Sequence, residues 1–435
     1  MNPGLRLISL IAIAIMCVTG GAQAQELYFP PVGGNTWETM SLSEAGFCQE
    51  GVDSLLEFLG AADTKAFLVL QDGKLVIEEY YDAFTSDSLW YWASAAKTLT
   101  AFLVGKAQEQ ELLSIEDPTS DYLGQGWTTL EPGQEQNITV RHQLTMTSGL
   151  DDGVPDPFCT LDTCLEYKAD AGTRWAYHNG PYTLLDEVVS GATGQNLNLY
   201  MNGVLRGPIG MNGLFIPVGY NNVYFSTPRS MARFGLLMLG GGHWDGEAIM
   251  EDATYFSEMI NTSQDLNPSY GYLWWLNGKE HFKVPGSQLD FPGPLCPDAP
   301  EDMYAALGRD GQILSIVPSE NFLFVRMGRA SGAGLVSLNI MNDIWAYLNA
   351  AKCGSTATET LSGAAANVYP NPASDRLYFD APVTVLSATC IDGRRMVIHA
   401  QDNGLDISQW PGGVYYLHCR SANGSIFVRS IVHGK

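Results

Sequence analysis

Basic residues are scarce in this chain: 23 lysines and arginines face 47 aspartates and glutamates, a formal net charge of −24. A field of that sign repels nucleic acid and anionic membrane surfaces, so neither is an expected partner. It suits a soluble extracellular protein. After the first two dozen residues no apolar run is long enough to cross a bilayer, which argues against stable membrane insertion. No cysteine has metal-ligand spacing with a histidine nearby, so no metal site is expected. No internal repeat is found, and no tract is biased enough to predict disorder. What remains is an ordinary globular composition, 46% hydrophobic over 435 residues, enough for two or three domains.

The N-terminus reads as an export signal over residues 1–24. Arg6 supplies the positive charge, Leu7 to Val18 the apolar stretch, and Ala22-Gln23-Ala24 the small-residue cleavage site. The main body is expected over residues 25–353. In it Ser43 is a plausible N-cap for a helix with Cys48, Val52, Leu55, Leu56 and Leu59 on one face. Ala66 to Leu70, Asp72-Gly73 and Lys74 to Glu78 read as a hairpin, and a long helix is expected from Ser94 to about Leu113. Tyr272 to Leu276, Ile313 to Val317 and Phe322 to Arg326 look like strands, and a last helix carries Val336, Ile340, Ile344, Trp345 and Leu348. Strands split between the two ends of the body and a helical middle predict an α+β domain around one antiparallel sheet. Both terminal helices then pack on one sheet face. Residues 354–366 are small, polar and aperiodic, a linker by pattern. Residues 367–435 alternate short β-like runs with turn signals, as a small β-sandwich does.

Cysteine usage agrees with export. Cys17 is lost with the signal, and seven remain: Cys48, Cys159, Cys164, Cys296, Cys353, Cys390 and Cys419. The expected pairs are Cys159–Cys164, Cys390–Cys419 and Cys48–Cys353, the last because both terminal helices share a face. Cys296 is left over.

Ser94-Ala-Ala-Lys97 is the first candidate for chemistry. On a helix, residues three apart share a face, so hydroxyl and amine can touch. A serine hydroxyl needs a base to become a nucleophile, and lysine serves only when uncharged. Burial and a helix N-terminus both lower its pKa. Alone the pattern is weak, because a chain with nine lysines yields roughly half such a match by chance. Its surroundings strengthen it: Leu99, Phe102, Leu103 and Val104 mark a buried helix, where a lysine needs a reason.

The second candidate is Tyr177-His178-Asn179, after Ala171-Gly-Thr-Arg-Trp-Ala. The run Trp92-Ala-Ser-Ala-Ala-Lys-Thr-Leu-Thr resembles the nucleophile helix of serine β-lactamases, penicillin-binding proteins and related esterases. Asp117-Pro-Thr-Ser-Asp-Tyr-Leu and Ile138 to Leu150 resemble that family's connecting segments, and Tyr177-His-Asn its Y-x-N motif. Order and surroundings match from about Leu42 to Tyr347. The resemblance implies the β-lactamase/transpeptidase fold, Ser94 as acyl acceptor, Lys97 as base and Tyr177 as proton shuttle. Asn179 is then a cleft residue that hydrogen-bonds substrate or Lys97. A tyrosine beside an ammonium is expected to have a lowered pKa. His178, His142 and His281 are read as structural. The family's Lys-Thr-Gly or His-Thr-Gly strand corresponds to Tyr304-Ala-Ala-Leu-Gly308, where only Gly308 matches. Without the basic residue that recognises a carboxylate, a neutral ester or amide fits better, unless Arg309 replaces the charge. This strand can still offer a second oxyanion N–H beside that of Ser94. No E-x-x-L-N segment is present, so a dedicated deacylating glutamate is not expected. Trp90, Tyr91, Trp92, Trp175, Tyr177, Trp274 and Trp275 either line an apolar cleft or fill the core.

The reading implied is two-step acyl transfer from an ester or amide, small or peptide-like, to water without metal or organic cofactor. β-Lactam or D-alanyl-peptide hydrolysis is a second possibility, and binding or acylation without turnover a third. Asn367-Val-Tyr-Pro-Asn-Pro-Ala-Ser-Asp-Arg-Leu, Leu405 to Leu417 and Ile426 to Val432 resemble the type A C-terminal sorting domain of type IX secretion. That resemblance implies a Bacteroidetes-type cargo with the secretion machinery as partner, carried to the surface or released.

Overall fold

The computed structural model describes residues 27–330, 335–353, 366–371, 373–390, 395–401, 404–421 and 426–434. The expected export signal, and the expected linker apart from Ala366, lie outside the described residues.

Helix α1 (Gln49–Ala61) buries Val52, Leu55 and Leu59 at helical spacing. Its N-cap is Cys48, not Ser43; Ser43 belongs to a preceding turn in which the Ser41 hydroxyl and N–H both bind the Glu44 carboxylate. Strands β1 (Thr64–Gln71) and β2 (Lys74–Tyr80) pair antiparallel across Asp72-Gly73. Both turn residues have positive φ, 52° and 82°, the hairpin geometry that follows the strands' twist. A Cβ on Gly73 would sit 1.9 Å from the Tyr28 carbonyl oxygen, so glycine is required there twice over. Strand β3 (Trp90–Tyr91) leads to a 3₁₀ turn, Ala93–Ala96, and then to α2 (Lys97–Glu109). This helix is shorter than expected at both ends. It opens as the 3₁₀ turn and closes before Glu111, whose φ is +57°. Every residue from Lys97 to Ala107 is buried, as befits a helix enclosed on all sides.

The middle of the chain is helical, as expected, and includes α3 (Asn179–Thr183) and α4 (Leu185–Thr193). Strands β4 (Leu214–Val218) and β5 (Asn221–Ser226) form a hairpin that pairs with β3. Thr227 then caps α5 (Pro228–Leu239) by accepting from the Ser230 N–H, with Pro228 in the first turn where its missing N–H costs nothing. The chain returns to the main sheet as β6 (Trp275–Leu276), β7 (Tyr304–Gly308), β8 (Gln312–Val317) and β9 (Phe322–Gly328), and ends in α6 (Leu338–Ala351). The sheet order is β2-β1-β9-β8-β7-β6, antiparallel throughout. Strand β6 is only two residues long because Leu273 has φ +62° and breaks the run expected from Tyr272.

The two sheet faces have different covers. On one, Gly235 of α5 approaches Leu314 and Leu323. On the other, the Trp345 indole of α6 donates to Ser315 Oγ at 3.2 Å, and Phe58 of α1 stacks on Tyr347 with centroids 4.6 Å apart. The terminal helices share that face, and Cys48 is bonded to Cys353. Cys159–Cys164 also forms. Cys390–Cys419 does not: Cys390 stands opposite Tyr415, four residues along the strand from Cys419. Four residues of strand span about 13 Å, beyond disulfide reach.

The C-terminal segment builds two antiparallel sheets of four and three strands. Between them Leu377, Phe379, Leu405, Trp410, Tyr415, Leu417 and Ile431 form a separate core. This is the expected small β-sandwich. Among the described residues no helix is long and apolar enough to cross a membrane.

Candidate active site

The Ser94 turn is held from both sides. Trp92 donates its N–H to Tyr224 O at 2.9 Å and its indole N–H to Ser226 Oγ at 2.7 Å. Ala93 has φ +47°, an uncommon state for a residue with a Cβ, which β5 and the start of α2 enforce together. Ser94 follows, half-buried, and Lys97 lies one turn later at 4% exposure. Lys97 Nζ donates to Asn179 Oδ1 at 2.8 Å and lies 3.4 Å from Ser94 Oγ. It also sits 3.8 Å from the centroid of the Tyr182 ring and 5.2 Å from that of Tyr177. Among the described residues no carboxylate comes within ion-pair distance of it. Burial lowers its pKa to about 7, against a smaller opposing pull from Asp186.

Tyr177 is enclosed by Trp175, Tyr270 and Trp275, with ring centroids 6.5, 6.3 and 5.8 Å away. Its pKa is raised, contrary to the sequence expectation. Desolvation outweighs every other influence, and only Ser94 draws it down. Tyr177 is therefore a phenol at neutral pH. Its hydroxyl has no hydrogen bond of good geometry, and the indole N–H of Trp175 and the hydroxyl of Tyr270 are likewise unpartnered. Asn179 opens α3, immediately after the extended Tyr177-His178.

Strand β7 brings its C-terminal end against the Ser94 turn. A Cβ on Gly308 would lie 2.3 Å from Trp92 O and 3.0 Å from Ala95 N, so glycine is what permits the approach. Ala306 and Leu307, where the family pattern has its basic residue and threonine, are buried and apolar. The Arg309 side chain is 68% exposed, and its nearest carboxylate is Asp310 at 3.8 Å. Ser94, Lys97, Asn179, Tyr177 and the Gly308 backbone are thus gathered in one place, and the Arg309 guanidinium is not among them. The aromatics divide: Trp92, Trp175, Trp274 and Trp275 are core, while Trp90 and Tyr91 are half-buried. His178 is buried with neither ring nitrogen hydrogen-bonded, and its pKa is lowered to about 4 by burial. His142 accepts from the Thr139 N–H in a capping box, and His281 sits 3.6 Å from Asp290. Among the described residues no group of histidine, cysteine, aspartate or glutamate converges to hold a metal ion.

Residues 52–333 match the family model Beta-lactamase. The chain belongs to the beta-lactamase family. Residues 367–433 match the secretion system C-terminal sorting domain. A beta-lactamase-family body with a type IX sorting tail is a hydrolase-family cargo, exported to the cell surface or beyond. An uncharacterized protein of Alkalihalophilus pseudofirmus is 25% identical over 303 residues, 61% of this chain and 83% of that protein. A Bacillus anthracis structure bearing the name 6-aminohexanoate-dimer hydrolase is 19% identical with a TM-score of 0.55, over 75% of this chain and 89% of that one. A structure named as a beta-lactamase from Bacteroides dorei is 18% identical with a TM-score of 0.56, over 70% and 99%. A penicillin-binding-protein homolog from Caulobacter crescentus is 13% identical with a TM-score of 0.53, over 68% and 97%. At these identities the structures share the fold.

No sequence motif assigns a role to four buried or half-buried residues of this region: Thr100, Tyr182, Asp186 and Asn222. Tyr182 and Asp186 stand four apart, one helical turn, which is the one signal the sequence offers for them.

Proposed function

We propose that this protein hydrolyses a neutral ester or amide through a covalent acyl-enzyme on Ser94. The observation that carries the reading is a buried lysine beside a serine: Lys97 Nζ lies 3.4 Å from Ser94 Oγ, and among the described residues no carboxylate is paired to it. With its pKa near 7, a large fraction of Lys97 is the free amine at physiological pH. The amine takes the Ser94 proton as Oγ attacks the carbonyl carbon. The N–H of Ser94 and an N–H at the Gly308 end of β7 face the developing oxyanion. Tyr177, protonated because it is buried, gives its proton to the leaving alkoxide or amine and is reprotonated from Lys97. Water then enters where the leaving group was; the same pair takes its proton as it attacks the acyl carbon and returns a proton to Ser94 Oγ as the Oγ–acyl bond breaks and the acid leaves.

Substrate charge is argued from β7. Ala306 and Leu307 offer no cation to a substrate carboxylate, and Arg309 extends into solvent. This favours an ester or amide over a β-lactam or D-alanyl peptide. Binding or acylation without turnover is the reading that the same missing cation would support.

Purified mature protein and its Ser94→Ala variant are to be compared on a short-chain p-nitrophenyl ester and a chromogenic cephalosporin. Ester turnover that falls at least about 10³-fold in the variant, with the cephalosporin intact, is expected. Turnover that survives Ser94→Ala sinks the nucleophile. Stoichiometric release of one nitrophenol and no more replaces hydrolysis with trapping.

A further inference from the structure

Behind Lys97, away from Ser94, lies a carboxylate that no step above uses. Asp186 is on α4 and 7% exposed. Two other elements hold it: Thr100 Oγ1 of α2 donates to Oδ1 at 3.2 Å, and Asn222 Nδ2 of β5 donates to Oδ2 at 3.0 Å. Thr100 follows Lys97 by three residues on the same helix, and its hydroxyl lies 3.4 Å from that of Tyr182. Tyr182 in turn presents its ring face to Lys97 Nζ at 3.8 Å. Ser94, Lys97, Tyr182, Thr100 and Asp186 therefore form one continuous chain of contacts, with the hydroxyl to be activated at one end and a carboxylate, anchored by Asn222, at the other.

We propose that Asp186 is a positioning residue whose carboxylate, acting across the Tyr182 ring, sets the proton affinity of Lys97 and so the pH at which Ser94 becomes nucleophilic. This rests on the reading of Ser94 and Lys97 as nucleophile and base. A dry interior screens charges weakly, so a carboxylate beyond ion-pair distance still favours the ammonium. The two donated hydrogen bonds favour Asp186 as the anion, while burial opposes it and brings its pKa to about 7. The other titratable groups facing the pair are Tyr177 and Tyr182 on Lys97's open sides, Tyr270 beyond them, and Glu187 beside Asp186 on α4. Burial raises all three tyrosines, which stay neutral. Glu187, exposed, adds repulsion to Asp186. Among the described residues Asp186 is thus the one carboxylate that holds Lys97's proton on. Without it the base would be free at lower pH and weaker as a base.

The test is kcat/KM against pH for ester hydrolysis by the full mature chain, since this profile reports the free enzyme's essential base. Wild type, Asp186→Asn and Asn222→Ala are compared, with Ser94→Ala as background. In Asp186→Asn the acid limb moves down by about one pH unit, the effect of removing one nearby opposite charge. In Asn222→Ala it moves the same way by less, because a carboxylate stripped of one donor is less often charged. Asn222 is half-buried, so this second variant carries the test if Asp186→Asn does not fold. Acid limbs that coincide with wild type, in variants whose turnover still needs Ser94, overturn the proposal alone. Turnover that persists in Ser94→Ala removes the reading beneath it, and the proposal with it.

Discussion

Lys97 and His178 both lose their water on folding, but only one of them gains polar company. Lys97 has Asn179, Ser94 and the tyrosine faces; the two ring nitrogens of His178 have no hydrogen bond. Its folded pKa, about 4, is below the ordinary 6.5. A depressed pKa contributes stability above the unfolded value that is lost as pH falls through the folded one, here from about 6.5 towards 4. The full loss is about 3 kcal/mol, at 1.4 kcal/mol per pKa unit. Melting temperature measured between pH 7 and 4 is therefore expected to fall more steeply in wild type than in His178→Phe. Parallel curves would mean that other groups govern the acid limit. At this scale the contact of Ser94 with Lys97 was legible from their spacing on a helix, while the approach of Tyr177 and Asn179 to Lys97 was expected only through the family resemblance. The raised pKa of Tyr177 was not, since it depends on Trp175, Tyr270 and Trp275 closing round it, and two of these lie about ninety residues away. Asp186 was hidden for the same reason, held by donors on α2 and β5.

Elements set the tolerance of the site. Strand β7 meets the Ser94 turn backbone to backbone at Gly308, against Trp92 O and Ala95 N. In Gly308→Ala the strand or the turn must retreat, and a displacement of about 1 Å in such a constellation costs on the order of 10²-fold in rate. The expected result is a lost kcat on the ester with a melting temperature within a few degrees of wild type. A large fall in melting temperature instead would place the role of Gly308 in packing. Alternation and turn residues made the hairpin at Asp72-Gly73 and strands β8 and β9 readable in advance. The short β6 was not, because the left-handed Leu273 leaves no mark in composition. The Cys390–Cys419 pairing failed on strand register, which proximity in sequence does not give.

Across the whole molecule, the beta-lactamase-family body and the sorting module have separate cores. The body alone is closed by a covalent bond between its first and last helices. Cys48 and Cys353 are 305 residues apart, and the segments around them also pair by backbone: Cys48 N–H to Ala351 O at 2.8 Å and Cys353 N–H to Gly46 O at 2.7 Å. Opening the bond, by reduction or by Cys353→Ser, is expected to lower unfolding free energy by about 2–5 kcal/mol. Urea titration of the oxidised wild type and oxidised Cys353→Ser, both keeping Cys159–Cys164, measures it, and coincident midpoints would rule the contribution out. Both terminal helices and the sandwich were foreseeable from the chain, and the closure followed from their sharing a face. Cys353 also lies where the body hands over to its export address, which gives the bond a mechanical meaning. Tension applied to the tail reaches Cys353 first and passes through sulfur to the start of α1. Helix α6 lies inside the loop that the disulfide closes, so that path bypasses it. A pull on the tail therefore meets a loop that is already closed.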